Sequence, residues 1–141
     1  MTNATRCAYH ESGHAVACLC LGIPITSVTI DAANPHCVWG RYQPAHEAGL
    51  ECLVTLFLAG PMAEVMICGA ITDGGDQTDY QMARDYLAGR FGPLQIGAEF
   101  ARLRDAAARL VALPWAQHRI EQIAAALLQR QTLTGAQIEA L

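Results

Sequence analysis

Two histidines and a glutamate raise the question of chemistry. Within Ala8-Tyr9-His10-Glu11-Ser12-Gly13-His14-Ala15 the spacing is H-E-x-x-H. On an α-helix each residue advances by about 100° and about 1.5 Å, so His10 and His14 lie one turn apart on one face, within reach of a single ion. Glu11 falls beside them, placed to touch a water on that ion without ligating it. Two imidazoles for zinc with an adjacent carboxylate base form the core of a metal-dependent peptidase. The plainer alternative is a pair of half-buried histidines on an amphipathic helix, with Glu11 as a solvated charge. That alternative leaves Gly13 unexplained. Glycine in a helix interior costs about 1 kcal/mol relative to alanine, so its presence implies that a backbone or a bulky group approaches closely there.

Two histidines alone do not hold zinc firmly, and catalytic sites normally have three protein ligands and an open position. The third is sought in Ile71-Thr72-Asp73-Gly74-Gly75-Asp76-Gln77-Thr78-Asp79-Tyr80, a glycine-rich acidic loop running into a helix that lasts to about Gly89. Asp79 is the choice. It has a competing assignment: with Asp76 as N-cap, Asp79 takes the third helical position, where an acid satisfies free amides and the helix dipole. Asp73 and Asp76 read as turn and cap residues. Glu64 has apolar neighbours on both sides, so it is expected to be at least partly buried and to need a partner. That partner is a histidine ligand, oriented from behind, or an arginine, or a helix N-terminus. A rival arrangement makes Glu64 or Glu47 the third ligand in place of Asp79. His36, Tyr42 and His46 lie near the hairpin as candidates for stabilising an oxyanion, and His118, in a polar stretch, reads as solvated.

The elements that must position these residues follow from local pattern. Residues 4–21 read as the motif helix, closed by Gly22 and Pro24. Ile25-Thr26-Ser27-Val28-Thr29-Ile30 is rich in β-branched residues and reads as a strand. After a turn at Asp31–Pro35, Cys37–Tyr42 reads as a second strand, pairing with the first as a hairpin beside the motif helix. The hairpin either offers an edge to an extended peptide or simply covers the helix. Glu47–Ala59 is a strong helix, with Leu50, Leu53, Val54, Phe57 and Leu58 on its apolar side. Gly60-Pro61 is expected to break or kink it, with a shorter helix from Met62 to Cys68. Leu94–Leu113 and Pro114–Arg130 are further helices, Arg102, Asp105 and Arg109 forming a solvated face. Thr134 looks like the N-cap of a last short helix.

Composition narrows the classes. At 141 residues the chain reads as a single domain, 1–141, mainly α, with room for a hydrophobic core. The formal charge of -4, with all positive charge on scattered arginines, argues against nucleic-acid binding. The six cysteines fall mostly in apolar helix or strand patterns, where they behave as small buried hydrophobes. A reducing cytoplasm is the expected compartment. There is no signal-peptide layout, and the apolar runs 15–30 and 52–63 fall short of the roughly 20 residues that span a bilayer. No membrane association is expected. No G-x-x-x-x-G-K loop occurs, so no ATPase of its own is expected.

Three separated blocks resemble one family. Ala8-Tyr9-His10-Glu11-Ser12-Gly13-His14-Ala15-Val16 resembles the zinc motif of the peptidase domain of FtsH-type ATP-dependent proteases. Leu58-Ala59-Gly60-Pro61-Met62-Ala63-Glu64, followed by Gly69, is similar to that family's A-G-R-A-A-E-E helix. Gly75–Ala83 looks like its G-A-x-N-D loop and the helix after it, and the tail from Leu127 to Leu141 looks like its closing segment. The resemblance covers nearly the whole chain, in the same motif order. It implies a helical zinc-peptidase fold, with Asp79 completing the metal site. Departures are Pro61 for the family's arginine and Val65 for its second glutamate, and the ATPase module and membrane anchor that precede the domain in the full proteases are expected to be absent.

The expected function is zinc-dependent endoproteolysis. His10, His14 and Asp79 hold the ion, Glu11 takes the proton of the activated water as it attacks the carbonyl and passes it to the leaving amine. The expected partners are a peptide or unfolded protein as substrate, further copies of the chain in a homo-oligomer, and an ATPase in trans. The alternative, from another class, is a catalytically silent zinc-stabilised module that holds a peptide or partner.

Overall fold

A computed structural model describes residues 1–31, 33–40, 47–70 and 77–141. The chain opens with α1 (Asn3–Leu21), then β1 (Ile25–Thr29) and β2 (His36–Trp39), followed by α2 (Glu47–Cys68) and α3 (Gln77–Ala88). Helices α4 (Pro93–Val111) and α5 (Pro114–Arg130), the short strand β3 (Thr132–Thr134) and α6 (Gly135–Glu139) complete it. The architecture is mainly helical with a small antiparallel sheet, as the residue patterns imply.

Local signals set the ends of α1. The Thr2 hydroxyl accepts from the Thr5 amide at 3.2 Å, and the Gly22 amide bonds back to the Cys18 carbonyl. Between them the helix is buried without interruption from His10 to Cys18. It is therefore not an amphipathic surface helix: α2 and α5 pack against it, and β1 and β2 cover another side. Ser12 sits in this dry interior and satisfies itself by donating to the Ala8 carbonyl at 2.6 Å.

Helix α2 continues through Gly60-Pro61 with Pro61 inside it, so of the expected break or kink the break does not occur, and Met62–Cys68 is not a separate helix. The proline forfeits one intrahelical hydrogen bond, but packing on two sides holds the helix together. Leu56, Ala59 and Ala63 join the core formed with α1, α5 and the sheet, while Leu53, Val54, Phe57 and Leu58 join a second core with α3 and α4. By length and composition alone, Gly49–Cys68 could cross a membrane, but 61% of it is buried inside the protein. Its apolarity serves two interiors.

The hairpin forms as expected, with Val28 opposite Cys37 and Thr29 opposite His36. Residues 41 and 42, expected to extend the second strand, lie outside the described residues. The sheet has a third member that the residue pattern did not suggest: β3 pairs with β1 through Val28–Leu133, giving the order β2-β1-β3. Three residues are too few to show alternation, and the strand exists because β1 offers a free edge. Thr134 is both its last residue and the N-cap of α6, in a capping box with Gln137.

Candidate metal centre

The site forms where α1 crosses α2 and meets the start of α3. The crossing is close because α1 has only a hydrogen at Gly13, where it meets the Ala59 carbonyl and the small Ala63 side chain of α2. A Cβ on Gly13 would lie 2.5 Å from the Ala59 carbonyl oxygen and 2.6 Å from the Ala63 Cβ. This is the approach that a glycine in the motif implied. A Cβ on Gly60 would strike the His14 ring itself, so the bare backbone of α2 forms the wall against which that ring lies.

Each histidine is oriented from behind. His14 Nδ1 donates to the Leu56 carbonyl oxygen at 2.9 Å, and His10 Nδ1 donates to Glu64 Oε2 at 3.2 Å. With the proton on Nδ1 in both rings, both Nε2 atoms present lone pairs. These converge on Asp79: His10 Nε2 lies 2.8 Å and His14 Nε2 3.4 Å from Asp79 Oδ2, and the two Nε2 atoms are 3.2 Å apart. Ligand atoms of His10, His14 and Asp79 all lie within 4.8 Å of one another, a group that could hold a metal ion. Ligand atoms arranged tetrahedrally at the usual zinc distances stand roughly 3.3 Å apart, so the donor set fits zinc in both chemistry and spacing.

Asp79 lies in the first turn of α3, the position that suits a capping acid, but its carboxylate is turned to the histidines. Glu64, only 2% exposed, sits on the far side of His10, its Oε1 3.7 Å from an Arg6 guanidinium nitrogen. Glu64 thus meets His10 at Nδ1, away from the cluster, whereas Asp79 meets it at Nε2, within the group that could hold a metal. The side chain of Glu47, and Tyr42, His46, Asp73 and Asp76, lie outside the described residues. His118 is exposed and is not among the residues that line the cleft.

Electrostatics describe the same preference for positive charge. Burial works against a charged His10, yet its hydrogen bonds to Asp79 and Glu64 prevail and push it up to about 10. Burial also opposes charge on His14, and the Asp79 carboxylate outweighs it, raising that imidazole too. Burial would raise Asp79, but the His14 charge and the His10 hydrogen bond hold it well below the usual carboxylate range. Glu11 differs: at 6% exposure, burial pushes its carboxyl up, with the two imidazoles pulling the other way.

All these groups border a cleft of about 540 Å³. Glu11 and the three donors line it from the helices, and His36, Cys37 and Trp39 from β2. Two lining residues, Arg6 and Trp39, and one backbone group behind His14, the Leu56 carbonyl, were not singled out by the residue pattern. Arg6 stands one helical turn before His10, so helical spacing would have found it. Trp39 packs its ring 6.3 Å from that of His14, and the Leu56 carbonyl fixes the His14 tautomer. These two are through-space contacts with no local pattern to reveal them. Compared with known proteins, the sequence matches no family model and no curated relative.

Proposed function

We propose that the chain is a zinc-dependent endopeptidase in which His10, His14 and Asp79 hold the metal and Glu11 is the general base. The observation that carries this reading is the meeting of two lone-pair Nε2 atoms and one carboxylate oxygen, all within 4.8 Å, in the cleft that Glu11 also lines. The resemblance of the motif blocks to FtsH-type peptidase domains supports it. When bound, zinc supplies Lewis acidity, lowering the pKa of a water towards about 7 and polarising a carbonyl.

The protein's own groups divide the remaining work. Glu64 and the Leu56 carbonyl keep both imidazoles in the ligating tautomer. Asp79 contributes charge as well as a donor atom. Glu11, made more basic by its dry surroundings, accepts a proton from water and returns it to the departing amine. Strand β2 ends the described sheet on the cleft side, so an extended peptide can lie along it by strand addition. That requirement makes flexible peptides and unfolded proteins the substrate class, with folded proteins needing an unfoldase in trans. A reducing cytoplasm suits the six free thiols.

The test is digestion of an unstructured casein by the zinc-loaded protein. Cleavage is expected, with loss on chelation and recovery when zinc is restored. Cleavage that survives chelation, or none from fully loaded protein, would replace this reading with that of a silent binding module.

A further inference from the structure

Arg6 precedes His10 by four residues on α1, so the two side chains share one face of that helix. Both reach across the helix crossing to the same acid on α2. Glu64 Oε2 accepts from His10 Nδ1 at 3.2 Å, and Glu64 Oε1 lies 3.7 Å from an Arg6 guanidinium nitrogen. The two oxygens of one carboxylate therefore face two different groups. The Glu64 side chain is 3% exposed and that of Arg6, which borders the cleft, is 30% exposed. A row thus runs inward from a half-exposed cation through a buried anion to an imidazole, with Asp79 and His14 beyond its Nε2.

We infer that Arg6 is a positioning residue for the metal centre: its charge holds the Glu64 carboxylate in place, and Glu64 in turn fixes the His10 ring with Nε2 towards Asp79 and His14. The inference rests on the metal site of the proposed function and extends it to a residue outside the donor set. A carboxylate taken out of water is costly unless charge and hydrogen bonds compensate it. His10 supplies one hydrogen bond, and the Arg6 guanidinium supplies a positive charge that does not titrate. At 3.7 Å the contact is too long for a hydrogen bond, so Arg6 acts here through charge and not through the geometry of its fork. With that charge removed, the carboxylate is held less firmly and can turn or draw in water. The His10 ring then loses the brace that aims Nε2. A purely structural role, in which the arginine stem merely covers the acid, predicts different results.

The experiment compares the full wild-type chain with Arg6→Gln, which keeps most of the stem and loses the charge, and Arg6→Lys, which keeps the charge. Zinc affinity is measured by competition with a chromophoric chelator. Exchange of the His10 Nδ1–H proton with solvent is measured by NMR of metal-free protein carrying isotopically labelled histidine, so neither readout depends on proteolysis. Removing a group that touches a ligand directly weakens metal binding by about 10- to 100-fold. Arg6, one contact further out and partly exposed, is expected to contribute about two- to fivefold at low salt. Arg6→Gln should therefore bind zinc more weakly by that factor and exchange the His10 proton faster, and Arg6→Lys should restore most of both. The gap between wild type and Arg6→Gln should close as salt rises from about 0.01 M to about 1 M, where the screening length falls from about 30 Å to about 3 Å. Unchanged affinity or unchanged exchange in Arg6→Gln, a loss that Arg6→Lys does not repair, or a gap indifferent to salt would each overturn the assignment and leave Arg6 as cover. Should Arg6→Gln fail to fold, Arg6→Met, an apolar stem without charge, takes its place. If the wild-type protein binds no zinc, the metal reading fails, while proton exchange still decides whether Arg6 holds Glu64 on His10.

Discussion

Glu11 and Asp79 are carboxylates in one cleft whose surroundings drive them in opposite directions, one up through burial and the other down through the imidazoles. Opposed shifts of this kind separate a base from a permanent anion. Glu11→Gln is accordingly expected to keep one zinc per chain and to lose about 10²- to 10⁴-fold in kcat, read by metal analysis beside a peptide assay. Asp79→Ala should instead lose the metal, whereas Glu64→Gln should bind it about 10- to 100-fold more weakly. The metal-free protein also has a defined pH signature. His10 sits at about 10 in the folded state against an ordinary value near 6.5, so its pairing stabilises fully below about pH 6.5 and is lost as pH rises towards 10. Asp79 is depressed, so its contribution is present above about pH 3.9 and is lost as pH falls below that. The Tm of chelator-treated protein should peak between about pH 4 and 6.5, tilted to the acid side by the raised Glu11. Zinc takes the place of the proton and should abolish the alkaline decline, which scanning calorimetry with and without metal would show.

The crossing of α1 and α2 sets the geometry of the site. Gly13→Ala gains about 1 kcal/mol of helix propensity but pushes a methyl into the Ala59 carbonyl. A net loss of about 1–3 kcal/mol is expected, seen as a lowered melting midpoint. Gly60→Ala presses on the His14 ring, so zinc affinity should fall by more than stability does. What could be read from the residues follows the range of the forces involved. The H-E-x-x-H spacing and the burdened glycine at position 13 are local, periodic facts: the first put His10 and His14 on one face, and the second implied the close approach that α2 makes. Asp79 was legible only as a choice, because a capping acid and a ligand both belong in the first turn of α3, and only the side-chain direction separates them. The continuity of α2 through Pro61 was hidden, since packing on two sides decides it. Strand β3 was hidden too: Thr-Leu-Thr acquires its conformation from β1, a hundred residues earlier.

Across the whole molecule, two interiors share α2, and the motif helix lies deep in one of them. Helix α5 and the β3–α6 segment complete that interior from the far end of the sequence, with Leu133 and Ile138 fully buried. Leu133→Ala is expected to cost about 2–5 kcal/mol although it touches none of the donors. Chemical denaturation should show that loss, and excess zinc should recover part of it by mass action.

The three donors do not share solvent equally. The side chains of His10 and His14 are 9% and 5% exposed, and that of Asp79 is 17% exposed. An ion entering the cleft would therefore meet the carboxylate first, and one leaving would release it last. Were a metal held there, its exchange would run past a single gatepost on α3, and its arrival would displace the proton that His10 carries without it.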